Sequence, residues 1–429
     1  MGREHFIPFR KADVVSMCAD ELPAAERPSF LGFTRMLASL LHHQFHARVE
    51  ALKDAFHPLN PEADTRTVVR LSADERLAAR RRLERELAAL AEAANFVPID
   101  PAELDRAFAD HSLLKVRMAV DNDAIDTVMF FRRGESTRTR RVPAWFGLRR
   151  KEVTFTNYAR VLVYATFKDA EHFDGTDVDR LPFQPGSAII KLFQNVPRDD
   201  LEMVFPTVSV RMRPIDKLLI GVPAVISGIV VVATKLIGSA ALVLLLLAFW
   251  LGLSDKPVTL SQTALVSGAI GLGAFGAYLF RQFTKFKNRK ILFMKALSEN
   301  LYFRNLDNDA GVFHHLLDAA EEAEVIEAVL AYHLLRTADR PLTAAELDRR
   351  IEDWFAGRWD AQLDFQVEDG VRKLRQLALV SEDEQGRMSA TPITDAKRHL
   401  DRVWDDLVDY DDTVPAVSTP TPTASTIAL

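Results

Sequence analysis

The sequence contains almost no cysteine and no excess of positive charge. Cys18 is the only cysteine among 429 residues, so no disulfide bond can form within the chain, and its folded parts need no oxidising compartment. The formal net charge of -6 gives no reason to expect that the whole chain binds nucleic acid. The sequence also lacks a P-loop, a G-x-S-x-G motif and a paired metal-ligand motif. We therefore predict no catalytic residue, no metal site and no cofactor.

Charge is also missing from one long stretch near the middle of the chain. Leu218 to Leu253 contains 36 residues with a single charge, Lys235, and Val258 to Phe280 adds 23 residues with none. A bilayer core requires about 20 apolar residues in helical conformation, and a helix that is apolar on every side does not face water. The sequence therefore predicts an integral membrane protein with a transmembrane hairpin over residues 216–283.

The sequence leaves open how many times the first of these stretches crosses the bilayer. Its 36 residues would extend about 54 Å as a helix, which exceeds the ~30 Å hydrocarbon core. It could form two short spans, or one span over about residues 236–253 preceded by an interfacial segment over 218–234. Basic flanks on both sides of the hairpin favour two spans, the second over about 258–280. We predict a multi-pass protein of the cell inner (cytoplasmic) membrane with cytoplasmic N- and C-termini.

Small residues recur every four positions in the second predicted span. Ala269, Gly273 and Ala277 would lie on one face of a helix, and this spacing permits two helices to approach closely. The face would pack against the first span of the same chain or against a second copy. We therefore predict helix packing in the membrane through these three residues.

The patterns before the predicted hairpin indicate an α+β fold. Apolar residues from Phe33 to Phe56 follow the 3.6-residue period of one long amphipathic helix. From about Leu113 the apolar period changes to two, and the turn-like segments DNDA and RRGES separate the strand-like runs. We predict an N-terminal helical region over residues 1–110 and a β-rich α+β domain over residues 111–215.

Three histidines lie on the predicted long helix. His42 and His46 have the i, i+4 spacing that can chelate a metal ion, with Glu50 one turn further on. The catalytic glutamate of an H-E-x-x-H motif is absent because His43 occupies its place. We therefore interpret these histidines as solvated or core residues. This interpretation agrees with the prediction that the chain has no metal site.

A basic strip follows the predicted strands. Residues 132–151 contain eight Arg and Lys residues and a single acid, Glu135. Beside a bilayer, such a strip could bind anionic lipid headgroups, at about 1 kcal/mol per basic residue. The alternative is a solvated hairpin edge that its charge protects from aggregation. The candidate headgroup-binding residues are Arg132, Arg133, Arg140, Arg141, Arg149, Arg150 and Lys151.

The region after the predicted hairpin has the element order of a winged helix, with three helices, a short β-hairpin and a closing helix. Such a domain invites a DNA-binding interpretation, but residues 312–410 contain 22 acidic and only 12 basic residues. Because phosphate neutralisation dominates nucleic-acid affinity, we predict protein interaction instead. This winged-helix-like domain covers residues 284–410, and a Pro/Thr/Ser-rich tail over residues 411–429 is predicted to be disordered.

Three segments resemble a known family: IIKLFQNVPRDDLEMVFP (Ile189–Pro206), IDKLLIGVPA (Ile215–Ala224) and LSENLYFRNLDNDAGVFHHLLDAAEEAEVIEAVLAYHLL (Leu297–Leu335). They are similar to the family of unknown function represented by the mitochondrial transmembrane protein 143, which also occurs in bacteria and plants. The resemblance runs from about Glu4 to Tyr410. It implies a membrane location and this domain order, but no activity and no site residue. We expect no mitochondrial targeting signal in this chain, and its composition suits a bacterial inner membrane.

The last of these segments contains a cluster of Asn and Asp residues before Gly311. Asx-rich segments cap helices by binding their own backbone, so a capped junction is one interpretation. The other is a polar site for a cation or a ligand, with His314 or His315 nearby. The candidate residues of this junction are Asn305, Asp307, Asn308, Asp309 and His314.

These patterns leave three functions open. The leading hypothesis is a membrane-anchored interaction or regulatory protein, with both soluble domains on the cytoplasmic face; its partners would be the lipid bilayer and a protein or a second copy. An oligomeric pore or transport component is the first alternative, although neither predicted span has an ionisable residue at mid-depth. A membrane-tethered enzyme of an unrecognised class is the second, because unfamiliar sites escape motif searches.

Overall fold

The computed structural model describes residues 6–66, 71–100, 102–104, 117–120, 123–144, 149–174, 177–178, 181–211, 250–251, individual positions between 262 and 299, and 301–407. Its helices are α1 (Lys11–Asp20), α2 (Arg27–Phe56), α3 (Ala73–Ala93), α4 (Ala310–Arg336), α5 (Ala344–Trp359), α6 (Val367–Gln376) and α7 (Ile393–Asp405). Its strands are β1 (Val97–Pro98), β2 (Arg117–Val120), β3 (Ile125–Ala144), β4 (Arg149–Phe167), β5 (Ala188–Pro197), β6 (Val208–Arg211), β7 (Asn305–Asn308), β8 (Val380–Glu382) and β9 (Met388–Ala390).

The chain divides into two compact units that interleave along the sequence. The first unit comprises Met1–Ala51, Glu92–Asn95 and Leu316–Leu429, and the second comprises Leu52–Ala91 and Phe96–His315. Helices α2 and α4 each contribute residues to both units. A division of this kind could not be read from the order of motifs, because each unit is assembled from separated segments.

The core of the first unit forms between α2 and α4. The predicted apolar period of α2 is confirmed, because Phe33, Leu37 and Leu40 are almost fully buried. Phe33 stacks on Tyr332 of α4, with ring centroids 4.2 Å apart. Burial of each such side chain stabilises the fold by about 1.5–3 kcal/mol, so the apolar face of α2 contributes substantially to the core of the unit.

The remaining elements of the first unit follow in the order of a winged helix. A capping box starts α5: the Glu346 N–H donates to the Thr343 hydroxyl, and the Thr343 N–H donates to the Glu346 carboxylate. Strands β8 and β9 then pair in antiparallel fashion between α6 and α7. Val371 and Leu374 of α6 and Leu400 of α7 join the same core, so the hairpin and the closing helix are tied to α4 through apolar packing.

An antiparallel sheet forms the second unit. Five strands occur in the order β1-β3-β4-β5-β7, and β2 pairs separately with β6. Alternate residues of the central strands, such as Val161 and Val163 of β4, are buried in its core. Helix α3 belongs to the same unit, where Arg80 donates a hydrogen bond to the Thr127 hydroxyl and is paired with Glu84, 3.1 Å away.

The predicted turn at RRGES is not a turn. Strand β3 runs through it without interruption, and Arg133 and Glu135 lie opposite Arg160 and Tyr158 of β4. Gly134 accommodates the strand there by adopting a φ of +75°. Glycine is also common in turns because it adopts positive φ angles without steric cost. The sequence pattern therefore indicated a turn where the structure has a strand. The result is a β3–β4 hairpin much longer than predicted.

The predicted transmembrane hairpin is corrected by the structure. In the part of the chain that the structure describes, no helix is both long enough and apolar enough to cross a bilayer. The long helices α2 and α4 carry charged residues in several turns; α2 buries one face in a core, and α4 is buried on all sides from Glu324 to Leu335. The predicted spans, about 236–253 and 258–280 with the segment 218–234, lie largely outside the described residues. The membrane-spanning fold class, the description as a transmembrane protein and the multi-pass inner-membrane localisation are therefore not retained.

Candidate functional site

Strands β3 and β4 continue beyond their neighbours in the sheet. Their pairing reaches Ala144 and Arg149, whereas β1 pairs with β3 only at Phe131 and Arg132 and β5 pairs with β4 only as far as Asn157. We call residues 137–144 and 149–156 the basic ribbon. Among the described residues, its two strands pair only with each other, so both outer edges offer unpaired backbone groups.

The register of the basic ribbon divides its residues between two faces. Directly opposite residues of an antiparallel pair share a face. Thr139 and Thr154 are such a pair, with their hydroxyl oxygens 3.3 Å apart, and they define a threonine face. The other pairs on that face are Thr137–Thr156, Arg141–Glu152 and Pro143–Arg150. The opposite face, which we call the basic face, consists of Arg138–Phe155, Arg140–Val153, Val142–Lys151 and Ala144–Arg149.

The two faces differ sharply in charge. Each of the four pairs on the basic face joins one basic residue to one apolar residue, and none contains an acid. On the threonine face, the charge of Glu152 offsets one of the two arginines, Arg141 and Arg150. By register, four of the six basic residues of the ribbon therefore occupy positions on one face, a division that depends on how the two strands pair.

The predicted headgroup-binding residues are thus separated into three groups. Arg140, Arg149 and Lys151 lie on the basic face, and Arg141 and Arg150 lie on the threonine face. Arg138 was missed by the prediction, although it precedes Arg140 by one period of a strand; its guanidinium donates to the Asn195 side chain over 3.1 Å.

Arg132 and Arg133 form the third group, at the root of the hairpin. Arg132 is 2.8 Å from the Glu135 carboxylate and lies over the Tyr158 ring. Arg133 lies over the Phe96 ring, 4.9 Å from its centroid. Burial raises the pKa of Tyr158, and the hydrogen bond from its hydroxyl to Glu103 raises it further. Through these contacts, the two arginines stabilise the base of the β3–β4 hairpin within the second unit.

The predicted polar junction is the edge strand β7 and the turn that follows it. Asn308 lies opposite Lys191 of β5, Asp307 opposite Leu192, and Asn305 opposite Phe193. Asp309 adopts a φ of +51°, and its carboxylate accepts a hydrogen bond from the Ile190 N–H. Backbone capping therefore accounts for Asp309.

The two histidines of the junction are both exposed, and His315 lies 3.2 Å from the Asp307 carboxylate. Gly311 contacts the same carboxylate so closely that an added Cβ would lie 2.3 Å from Asp307 Oδ1. The structure brings part of the predicted junction together: Asn305, Asn308 and Asp309 line one groove, whereas Asp307 and His314 do not.

One histidine of α2 contacts an acidic side chain of α4. His42 Nδ1 is 2.7 Å from the Glu321 carboxylate, which also lies 3.3 Å from the Lys11 ammonium. Within the described ranges, no group of three or more His, Cys, Asp or Glu side chains is arranged to hold a metal ion. The contact of His42 is therefore a structural link within the first unit.

The small residues predicted to pack a membrane helix are in helical conformation. Ala269, Gly273 and Ala277 are exposed, and no described atom lies within 4 Å of a Cβ added at Gly273. Their role in packing stays a prediction, separate from the membrane location that is corrected above.

Sequence reasoning also missed a buried polar cluster in the first unit. The fully buried His333 has its Nε2 2.8 Å from the Glu21 carboxylate, and Trp354 Nε1–H donates to the same carboxylate. Burial would raise the pKa of Glu21, but hydrogen bonds from His333 and Trp354 outweigh it and lower the pKa. Burial lowers the pKa of His333. Since 312 residues separate the two partners, no local signal could have found them.

The chain matches a sequence family described as "Protein of unknown function (DUF3754)" over residues 158–311. The match covers well under half of the chain. It contains the second half of β4, strands β5 to β7 and the predicted junction residues from Asn305 to Asp309, but neither His314 nor the basic ribbon. No solved structure matches the chain. The resemblance to the transmembrane protein 143 family stays a prediction.

Proposed function

We propose that this chain is an interaction protein that binds an acidic partner protein through the basic face of its ribbon. The observation that carries the proposal is the separation of charge across the ribbon, with four basic residues and no acid on one face. If the basic residues served only to prevent aggregation of the ribbon, there would be no advantage in having most of them on one face.

The pairing of basic with apolar residues favours a protein partner. Protein interfaces combine an apolar centre with charge complementarity, and arginine and aromatic residues are enriched in them. Arg138 lies beside Phe155, and Arg140 lies beside Val153. A partner that presents carboxylates between apolar side chains would satisfy both components on this face.

The unpaired edges of the ribbon supply a means of docking. An extended segment can add to a sheet edge through main-chain hydrogen bonds, while its alternate side chains determine specificity. A third strand beside β4 would place every second side chain on the basic face, next to Arg149 and Lys151. We therefore expect the partner to contribute an extended segment with acidic residues at alternate positions.

Direct binding to the full chain tests this proposal. The probe is a synthetic peptide with Glu and Val alternating on one strand face and Thr on the other, and its control is a scrambled peptide of the same composition. Exposed ion pairs contribute at most about 1 kcal/mol each, so the four basic residues alone would give a dissociation constant of about 1 mM. We expect main-chain hydrogen bonds and apolar contacts to make the binding tighter than this, and added salt to weaken it. Fluorescence anisotropy measures both peptides. Equal binding of the two peptides would contradict docking as a strand.

A matched pair of double variants tests the assignment to one face. Arg140→Glu with Arg149→Glu reverses two charges on the basic face, and Arg141→Glu with Arg150→Glu makes the same change on the threonine face. We expect the first to weaken binding at least tenfold and the second by less than about threefold. Equal losses would overturn the face assignment. If the chain bound anionic vesicles or a single-stranded oligonucleotide more tightly than it bound the peptide, the proposal of a protein partner would be overturned.

A further inference from the structure

We propose that a groove in the second unit binds an amphiphile whose head is zwitterionic and carries a primary ammonium group. The groove has a volume of about 1500 Å³ and opens to solvent. That volume exceeds the ~300–1000 Å³ of sites for drug-sized ligands, so it suits a head group with an attached chain. This proposal concerns a different surface from the basic ribbon and does not depend on it.

An irregularity in β7 determines which residues form the floor of the groove. Asn305 and Asn308 are three residues apart, and a regular strand would place them on opposite faces. The register with β5 shifts between Leu192 and Phe193, so that Leu306 has no partner and Asn305 and Asn308 come to the same face. Both line the groove together with Lys191. The bulge therefore assembles a polar floor.

Aromatic and aliphatic side chains form the walls. Phe167 and Phe183 stack with their ring centroids 4.0 Å apart, and the exposed side chains of Val178 and Phe303 present further apolar surface. Tyr302 is also part of the lining although it is 77% exposed. Large exposed aromatic side chains beside an apolar groove are typical of binding sites. An alkyl chain would bury this surface.

Two polar groups of the floor have no partner in the described chain. The Asn305 Oδ1 atom is buried and accepts no hydrogen bond. The Lys191 ammonium forms no hydrogen bond and no ion pair within 4 Å among these residues. A buried acceptor that lacks a donor costs about 1–3 kcal/mol. The floor therefore requires a ligand with an N–H or O–H donor for Asn305 and an anionic oxygen for Lys191.

The charges in the groove have both signs. Lys191 is positive, whereas Glu62 and Asp309 also line the groove and are acidic. Burial raises the pKa of Asp309, and the nearby Glu62 and Asp307 raise it further, whereas Lys191 lowers it. A purely anionic head would be repelled by the two acids. A head with a phosphate or carboxylate and a primary ammonium matches Lys191, the acids and Asn305 together.

Four probes with the same alkyl chain separate these contributions. Dodecylphosphoethanolamine has both charges and N–H donors, dodecylphosphocholine has both charges but no donor, and dodecyl phosphate and dodecylamine each have one charge. Calorimetry on the full chain, below the micellar concentration of each probe, should give the tightest binding for dodecylphosphoethanolamine, at least tenfold tighter than for dodecyl phosphate. Equal affinity for all four, or tightest binding of a singly charged probe, would overturn the proposed head group.

A variant of the floor and a matched control complete the test. Lys191→Met removes the ammonium from the groove, and Lys168→Met removes a lysine of the same unit that pairs with Asp123 and does not line the groove. We expect Lys191→Met to weaken dodecylphosphoethanolamine binding at least tenfold, and Lys168→Met to leave it unchanged. Thermal unfolding shows whether both variants fold. Equal affinities of the two folded variants would overturn the site, whatever the outcome of the peptide experiment on the ribbon.

Discussion

The two units hold their polar side chains in different settings. In the first unit, polar side chains that are far apart in sequence contact each other: the Glu21 carboxylate lies 2.8 Å from the buried His333, and Glu324 lies 2.7 Å from the Lys373 ammonium. In the second unit, Lys191 and Asn305 line a groove that opens to solvent. Buried side-chain atoms without a hydrogen-bond partner occur in both units, for example His333 Nδ1 and Asn305 Oδ1. What distinguishes the second unit is therefore that such a group lines a groove that a ligand can enter.

The largest expected effect comes from breaking the cluster around Glu21. Glu21→Ala leaves the fully buried His333 without its carboxylate partner and removes the acceptor of Trp354. Each of these two groups then lacks its hydrogen-bond partner, which costs about 1–3 kcal/mol per buried group. Urea unfolding, with hydrogen exchange followed in α1 and α4, measures the loss. Asp20→Ala is the control, because Asp20 is 76% exposed in its pair with Arg27, and we expect a loss below about 1 kcal/mol. Similar losses would show that the cluster is not structural.

Glu327 is the exception within the first unit, and its variant should stabilise the protein. Its carboxyl is 5% exposed and has one hydrogen bond, a 3.4 Å contact from the Asn95 amide. Burial raises its pKa from 4.5 to about 8, with Asp369 and Glu324 also raising it. Between those two pH values the unfolded chain releases a proton that the folded chain keeps, so stability falls as pH rises.

Glu327→Gln removes this dependence on pH. We expect a gain of about 3 kcal/mol in the free energy of unfolding at pH 7, and little change at pH 4.5. Glu324→Gln is the matched control on the same helix: it separates the pair with Lys373 and should destabilise the protein at pH 7. Urea unfolding across this pH range gives both values. A gain from Glu327→Gln that did not grow with pH would contradict the buried acid.

Gly134 tests the length of the ribbon in the second unit. Its φ is +75°, and an added Cβ would lie 2.6 Å from the Ala159 Cβ. We expect Gly134→Ala to cost about 2 kcal/mol and to increase hydrogen exchange in the ribbon. Gly357→Ala is the control, since no described atom lies within 4 Å of its added Cβ in α5, and it should stabilise by about 0.5–1 kcal/mol. Unchanged exchange in Gly134→Ala would argue against a strand through this residue.

Local patterns in the sequence were sufficient for the elements of the first unit. The spacing of apolar residues predicted α2, because that signal lies within a few turns of one helix. The contact between Glu21 and His333 could not be predicted in this way. It depends on packing between helices that are distant in sequence, and neither residue has a local pattern that identifies its partner.

The second unit was predicted less well because its features depend on register. Gly134 resembles a turn residue, and only its position opposite β4 shows that the strand continues. The basic strip was recognised from composition, but its division into two faces requires the pairing of Arg140 with Val153 and of Arg141 with Glu152. Asn305 and Asn308 were singled out as polar residues, whereas the bulge that places them on one face with Lys191 was invisible in the sequence.

The smallest expected effect concerns an exposed pair of side chains in the first unit. It sharpens the comparison by testing whether a contact that changes the pKa of a side chain also changes the stability of the protein. The Arg340 guanidinium is 2.7 Å from the Glu346 carboxylate, and its hydrogen bond is the largest of the effects that lower the pKa of Glu346 to about 2. The hydrogen bond from the Thr343 N–H lowers it further. Arg340→Ala should therefore raise this pKa only part of the way to its ordinary value, as measured by an NMR titration of the Glu346 carboxyl. The urea midpoint at pH 7 should hardly change, because solvent screens an exposed pair. A large shift of that midpoint would mean that exposed pairs, and not only the buried cluster around Glu21, hold the first unit together.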